Sequence, residues 1–317
     1  MFYSSEAQLE SNQEAINVFY TSNLIKSYLD TPSGKLFYAY AIPKNATTAI
    51  VVSTGRIEGL EKYKELLWEL YSNNFAVFIM DHQGQGRSYR HLKNKHKGFV
   101  KHYNNYSSDL NNFDQQIVSK HWQGKKVMLA HSMGGAIAID YLAKFENSYK
   151  GVFLSAPMFD IFTKDVPKIP TKFIVKLATL LGLHSCYAFG QGNYNPIPFT
   201  ENVLTSSEKR YTYFRQTYKL EPNIQLGGVT FGWLAATISF LKSIDNLNVP
   251  IPLFIASAAS DTVVNNEAQY GLAKRHAHAT IESFEGAKHE LLFERDEIRK
   301  PLLTNFYQFC ESVTVTA

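Results

Sequence analysis

The residues in this chain whose types and spacing could do chemistry are a serine, an aspartate and a histidine, each just past an apolar run. Val127-Met128-Leu129-Ala130-His131-Ser132-Met133-Gly134-Gly135 reads as a strand, a serine and a helix opened by small residues. It fits the nucleophile-elbow pattern G-x-S-x-G with Ala130 in the first position. A serine in such a turn projects its hydroxyl from the sheet, and small neighbours let the backbones approach. Asp261 follows the apolar run Pro250–Ser257, and His289 follows the run Ala279–Phe284. A neutral imidazole can take the serine proton and later return it to a leaving group, while a buried carboxylate holds the ring in one tautomer.

Each of the three also has a plainer reading. Ser132 could cap a helix, Asp261 could cap the helix near Asn265 or Asn266, and His289 is one of ten histidines. The order Ser132, Asp261, His289, each after its own strand, is the α/β-hydrolase order. The main rival acid is Asp160, which follows the strand at 151–156. For an oxyanion hole the expected donors are the backbone N–H groups of Arg56, in the loop Thr54-Gly55-Arg56-Ile57-Glu58-Gly59, and of Met133. Gly55 and Gly59 could equally make an ordinary turn. The Arg56 side chain could add positive charge nearby.

Asp81-His82-Gln83-Gly84-Gln85-Gly86-Arg87-Ser88 follows the strand Phe75–Met80. Its glycines suit a tight turn under the site. The third glycine of a dinucleotide fingerprint is missing, and no P-loop occurs. His91/His96 and His276/His278 lack a third ligand, so neither a metal nor a cofactor is expected.

Strands near 22–30 and 35–42 should form an antiparallel edge. Strands near 48–53, 76–81, 126–131, 151–156, 250–257 and 279–284 should form the parallel core. Helices are expected near 60–73, 105–120, 133–146, 266–275 and 295–311. This predicts an α/β fold, a mostly parallel sheet flanked by helices, with residues 1–157 and 247–317 as the core domain. Residues 158–246 interrupt the alternation and read as an inserted, mostly helical cap, which would shield the chemistry from water.

Several motifs are similar to those of α/β-hydrolases of the monoacylglycerol lipase and lysophospholipase group, and most closely resemble the bacterial lysophospholipase L-2 family. They are Gly55-Arg56-Ile57-Glu58 with Lys62-Tyr63, Asp81 to Ser88, Ala130 to Ile137, Ser155-Ala156-Pro157-Met158-Phe159, Asn202-Val203-Leu204-Thr205, Arg210-Tyr211, Gly227-Gly228-Val229-Thr230, Val263-Val264 and His289 to Glu294. Gln83 stands where an arginine is usual. The resemblance implies a cofactor-free serine hydrolase that releases the fatty acid of a lysophospholipid or a monoacylglycerol, with acyl transfer to another lipid as a further activity. A non-catalytic binding protein on the same fold and a small-ester esterase are the alternatives.

Composition agrees with a globular domain. The chain has 317 residues, 45% of them hydrophobic, and a formal net charge of +4. Nucleic-acid binding is not expected, because no such motif is present. Cys186 and Cys310 are far apart and in no C-x-x-C, which fits a reducing compartment. Met1–Tyr20 lacks the basic start and apolar core of a leader. Glu10–Tyr20 reads as an outer helix. Asn223–Leu241, the longest uncharged stretch, is too polar to span a membrane, and its half Phe231–Leu241 reads as a buried cap helix. The expected location is therefore cytoplasmic. In the cap, Phe173, Ile174, Leu177, Leu180 and Leu181 form an apolar stripe beside Lys168, Lys172 and Lys176. This is either a helix that touches an anionic membrane or a cap helix packed on the core with solvated lysines. The basic stretch Arg90–Lys97 likewise either holds lipid phosphate or leans on anionic headgroups, or is only a solvated loop. The sequence leaves the oligomeric state open.

Overall fold

The computed structural model describes residues 1–161 and 168–315. The side chains of residues 168–170 also lie outside what is described. Among the described residues, eight strands form one sheet in the order β1-β2-β4-β3-β5-β6-β7-β8. They are β1 (Ile25–Thr31), β2 (Gly34–Ala41), β3 (Thr48–Ser53), β4 (Ala76–Met80), β5 (Lys125–His131), β6 (Tyr149–Ser155), β7 (Leu253–Ala258) and β8 (Ala279–Phe284). β1 and β2 are the antiparallel edge, and β2 also pairs antiparallel with β4. All remaining pairs are parallel. β3 and β4 are buried along their whole length, as strands covered by helices on both faces must be.

The helices in chain order are α1 (Gln13–Val18), α2 (Lys64–Ser72), α3 (Asn104–Phe113), α4 (Ser119–His121), α5 (Met133–Lys144), α6 (Lys168–Leu180), α7 (Glu208–Leu220), α8 (Phe231–Leu241), α9 (Asn266–Arg275) and α10 (Asp296–Val315). A single wide turn, Asp114–Val118, joins α3 to α4. Two apolar layers result. One joins the sheet to α3, α5 and α9 through Leu110, Ile137 and Leu272. The other joins it to α2 and α10 through Leu66, Leu302 and Phe306. β3 and β5 are direct neighbours, with Ser53 opposite Ala130. Their following helices depart to opposite faces, so a crevice opens between their carboxyl ends, where ligands bind in open α/β sheets.

Between β6 and β7 the chain leaves the sheet and forms α6, α7 and α8. Charged anchors fasten this region to the rest. Arg210 on α7 donates to Glu65 on α2 and to the Glu294 carbonyl, and pairs with Asp296 at 3.0 Å. The Tyr218 hydroxyl donates to the Ile57 carbonyl. Arg90 donates to the carbonyls of Gly84, Gly86 and Ile224, and Lys97 to that of Ser185. Through Arg90 and Lys97 the stretch 90–97 thus clasps the sheet loops to the insertion. In that stretch only Lys93 and Lys95 are exposed.

α6 shows which of its sides packs. Val175 and Ala178 pack on Phe231 of α8. Much of the apolar stripe is exposed: Phe173 is 67% exposed, Leu180 74% and Leu181 67%. The Lys168 side chain lies outside the described residues, while Lys172 and Lys176 are exposed. No described helix is long and apolar enough to cross a membrane.

Candidate active site

β5 ends at His131, and Ser132 follows in a backbone conformation of φ 51° and ψ −119°. Such a non-glycine residue at positive φ costs on the order of 1–3 kcal/mol and persists only where its surroundings impose it. The surroundings are visible. The Ser132 N–H donates to Ser155 O at 3.0 Å, and the Ser132 carbonyl accepts from Gly135 and Met158 at 2.9 Å each. A Cβ on Gly134 would stand 2.2 Å from Ser53 O, and one on Gly135 would stand 2.7 Å from Pro157 Cβ. The small residues after the serine are therefore a packing requirement.

The three residues singled out from the sequence meet here. His289 Nε2 lies 2.9 Å from Ser132 Oγ, and His289 Nδ1 lies 2.7 Å from Asp261 Oδ2. A carboxylate only accepts, so Nδ1 carries the proton and Nε2 is free to accept from the serine hydroxyl. Burial would push the Asp261 carboxyl up. The hydrogen bond and charge of His289 and the amides of Val263 and Val264, at 2.7 and 3.1 Å, instead hold it below its ordinary value. The α9 cap is Asn265, not Asp261, since Asn265 accepts the Glu267 N–H. Asp160 lies elsewhere, bonded to Asn265 Nδ2 at 3.1 Å and to the Ile161 N–H.

The loop after β3 is fixed by Glu58. Its Oε2 accepts the Gly55 N–H at 2.6 Å and the Tyr63 hydroxyl at 2.7 Å, while Oε1 takes Lys62 Nζ at 2.7 Å. Burial opposes the Glu58 charge, but Lys62, His131 and these donors hold its pKa at about 2. Ile57 sits at φ 66°, a left-handed backbone that a β-branched residue seldom adopts. Gln85 supports the same loop from below by donating to the carbonyls of Gly55 and Glu58 at 2.7 and 2.8 Å. The glycines of its own loop allow this approach: Gly86, at φ 53°, would place a Cβ 2.1 Å from Asp81 Oδ2. Neither the Arg56 nor the Met133 amide donates to any acceptor among the described residues.

Sequence reasoning missed the buried ionic link beneath these groups. Lys62 Nζ also lies 2.5 Å from Glu290 Oε1, and its ammonium rests against the rings of Phe214 and Phe293. The i,i+4 spacing of Glu58 and Lys62 was the available signal. His131 donates from Nδ1 to Ser155 O, and burial pushes its pKa down to about 4, leaving it neutral beside His289. Gln83 bridges Asp109 and His91 at 2.6 and 2.8 Å, away from the serine.

Above Ser132 opens a cavity of about 820 Å³. Ile174, Phe189, Leu226, Val229, Phe231 and Trp233 supply much of its apolar wall, and Ser132 and His289 lie at its floor. That volume falls within the range of small-molecule pockets. Among the described residues no three His, Cys, Asp or Glu side chains are grouped to hold a metal ion.

Comparison with known proteins agrees with this picture. Residues 44–296 match the family described as "Serine aminopeptidase, S33" (Hydrolase_4). Lysophospholipase L2 of Escherichia coli is 34% identical over 273 residues, covering 82% of this chain and 79% of that protein. Probable lysophospholipase L2 of Haemophilus influenzae is 30% identical over 279 residues, covering 87% and 88%. Human monoglyceride lipase is 28% identical over 291 residues, covering 89% and 88%. Among solved structures, a monoglyceride lipase from Saccharomyces cerevisiae superposes with a TM-score of 0.74 at 17% identity, covering 93% of this chain and 97% of that one.

Proposed function

This chain belongs to the serine aminopeptidase S33 (Hydrolase_4) family of α/β-hydrolases, and on that premise we propose that it is a serine carboxylic-ester hydrolase releasing the fatty acid of a lysophospholipid. The observation that carries the reading is the 2.9 Å contact of His289 Nε2 with Ser132 Oγ at the floor of an apolar cavity. Relatives named monoglyceride lipase support a monoacylglycerol as the second substrate class.

In this proposal Ser132 Oγ attacks the ester carbonyl as His289 takes its proton, and Asp261 orients and stabilises the imidazolium. The Arg56 and Met133 amides receive the oxyanion, each donor contributing about 3–4 kcal/mol to the transition state. Collapse expels the glycerol alcohol, which takes the proton from His289 and leaves an acyl ester on Ser132. Water, deprotonated by His289, then releases the fatty acid and restores the serine. An alcohol of another lipid in place of that water would give acyl transfer.

Residues 158–246 act in this proposal as the cap over the acyl site. The exposed apolar face of α6, next to Lys172 and Lys176, supports contact with an anionic membrane surface through which the lipid enters. The test is fatty-acid release from long-chain lysophosphatidylcholine and monoacylglycerol, against short-chain esters. Preference for long chains is expected. Turnover confined to short esters would return the protein to the small esterases.

A further inference from the structure

Three of the buried or half-buried arginines are fasteners paired with an anion. Arg299 pairs with Glu69, Arg210 with Glu65 and Asp296, and Arg87 with Glu61 and Glu221. Arg90 lacks a carboxylate but spends its N–H groups on three carbonyls. Arg56 and Arg215 do neither, and both line the cavity above Ser132.

The Arg56 guanidinium donates to Gly227 O at 2.5 Å and lies 5.5 Å from the Trp233 ring, while its buried Nε has no acceptor. Arg215, on α7, reaches the Tyr194 hydroxyl at 3.4 Å and rests 4.7 Å over the Tyr211 ring; its buried Nε is also without an acceptor. Neither has a carboxylate within ion-pair distance among the described residues. The cavity's own carboxylates, Glu58 and Glu290, are both held by Lys62. Arg56 bonds Gly227, whose backbone abuts the wall segment Gly192–Tyr194, and Arg215 lies 5.9 Å from the Tyr194 ring.

An uncompensated cation in a partly dry cavity is costly unless an anion completes it. Burial pulls the Arg56 guanidinium down to about 10, whereas at Arg215 the Tyr194 and Tyr211 hydroxyls more than offset burial and hold the guanidinium above its ordinary value. A guanidinium fork matches the oxygens of a phosphate ester in pairs. We propose that Arg56 and Arg215 form the receptor for the phosphate ester of the substrate headgroup, so that this cavity selects a glycerophosphate-bearing acyl ester over a neutral acylglycerol. The proposal rests on the lysophospholipase reading above but concerns binding, so it can fail separately.

The test is calorimetric titration of the full chain with a non-hydrolysable, ether-linked octyl-glycerophosphocholine and with the neutral octylglycerol. Wild type should bind the phosphate ester at least tenfold more tightly. Arg215→Gln should remove most of that preference, and Arg215→Lys, which keeps the charge but not the fork, should restore part of it. Unchanged thermal unfolding checks that each variant folds. Equal binding of the two ligands by wild type, or an unaltered preference in Arg215→Gln, overturns the proposal. Glycerophosphocholine without a chain binding as tightly as the ether lipid would assign the site to a free phosphate ester and overturn the headgroup role. Hydrolysis plays no part in the titration, so a wild type that selects the phosphate ester yet hydrolyses no lysophospholipid would refute the functional reading alone.

Discussion

Lys62 Nζ lies 2.5 Å from Glu290 Oε1, the residue directly after His289, and 2.7 Å from Glu58 Oε1 in the loop after β3. One buried cation therefore joins the loop of the proposed base to the loop of the proposed oxyanion donor. Burial disfavours the ammonium, but its two carboxylates more than offset this and raise its pKa.

Lys62→Met should leave Glu58 and Glu290 as unpaired buried charges and cost about 3–5 kcal/mol of stability. At a temperature where the variant remains folded, kcat should fall more than KM rises, because alignment and not substrate binding is lost. Chemical denaturation and steady-state kinetics check both. A KM effect alone would place Lys62 in substrate binding.

Gly134→Ala should destabilise the fold by about 3 kcal/mol or more, since the new Cβ would meet Ser53 O at 2.2 Å and backbone must move. Gly190→Ala, at a positive φ but with open space, should cost far less. Equal thermal shifts in the two variants would contradict a packing origin for the glycine after Met133.

Asp261→Asn should lower kcat by about 10⁴-fold, because the wrong imidazole tautomer would face Ser132. Asp160→Asn should leave kcat close to wild type, since Asp160 serves Asn265 and Ile161. The reverse outcome would move the acid to the loop after β6.

Buried His82, hydrogen-bonded to Ser53 at 3.0 Å, has its pKa pushed down by burial to about 3. A depressed histidine favours the fold above its unfolded pKa of about 6.5 and loses that contribution as pH falls towards the folded value. Asp81 and Asp109, raised by burial to about 6 and about 7, act in the opposite sense through this range. The difference between wild type and His82→Gln therefore isolates the histidine. It should change by about 1.4 kcal/mol per pH unit between pH 6 and 4, wild type losing more. A difference constant with pH would mean that the ring is protonated in the folded protein.

Replacing Lys172 and Lys176 with Gln should weaken binding to anionic vesicles at low salt by about 1 kcal/mol per lysine. Leu180→Glu should weaken binding to neutral vesicles too. No change in vesicle sedimentation would leave the α6 face as cap surface only.

Much of the sheet was legible, because fully buried parallel strands are continuous apolar runs such as Ala76–Met80, and turn residues punctuate them. The order of Ser132, Asp261 and His289 along three such runs points to one locus. What stayed hidden depends on tertiary approach. No local pattern says that Lys62 reaches Glu290, that Gln85 supports Gly55 from below, or that Arg90 clasps the insertion. Which side of α6 packs stays open in the sequence for the same reason: a helix apolar on several sides does not declare it, and Val175 and Ala178, not Leu180 and Leu181, cluster with Phe231. The sequence marks Arg56 for its amide and for a positive charge near the site; that its guanidinium lines the cavity is set by tertiary approach.

The most direct measurement is intact-mass labelling with a fluorophosphonate, paired with fatty-acid release from long-chain lysophosphatidylcholine, in wild type and Ser132→Ala. The expected result is one adduct mapping to Ser132, release of the fatty acid by wild type, and loss of both in the variant. An adduct elsewhere, or release that persists in Ser132→Ala, would contradict the assignment of Ser132 as the nucleophile.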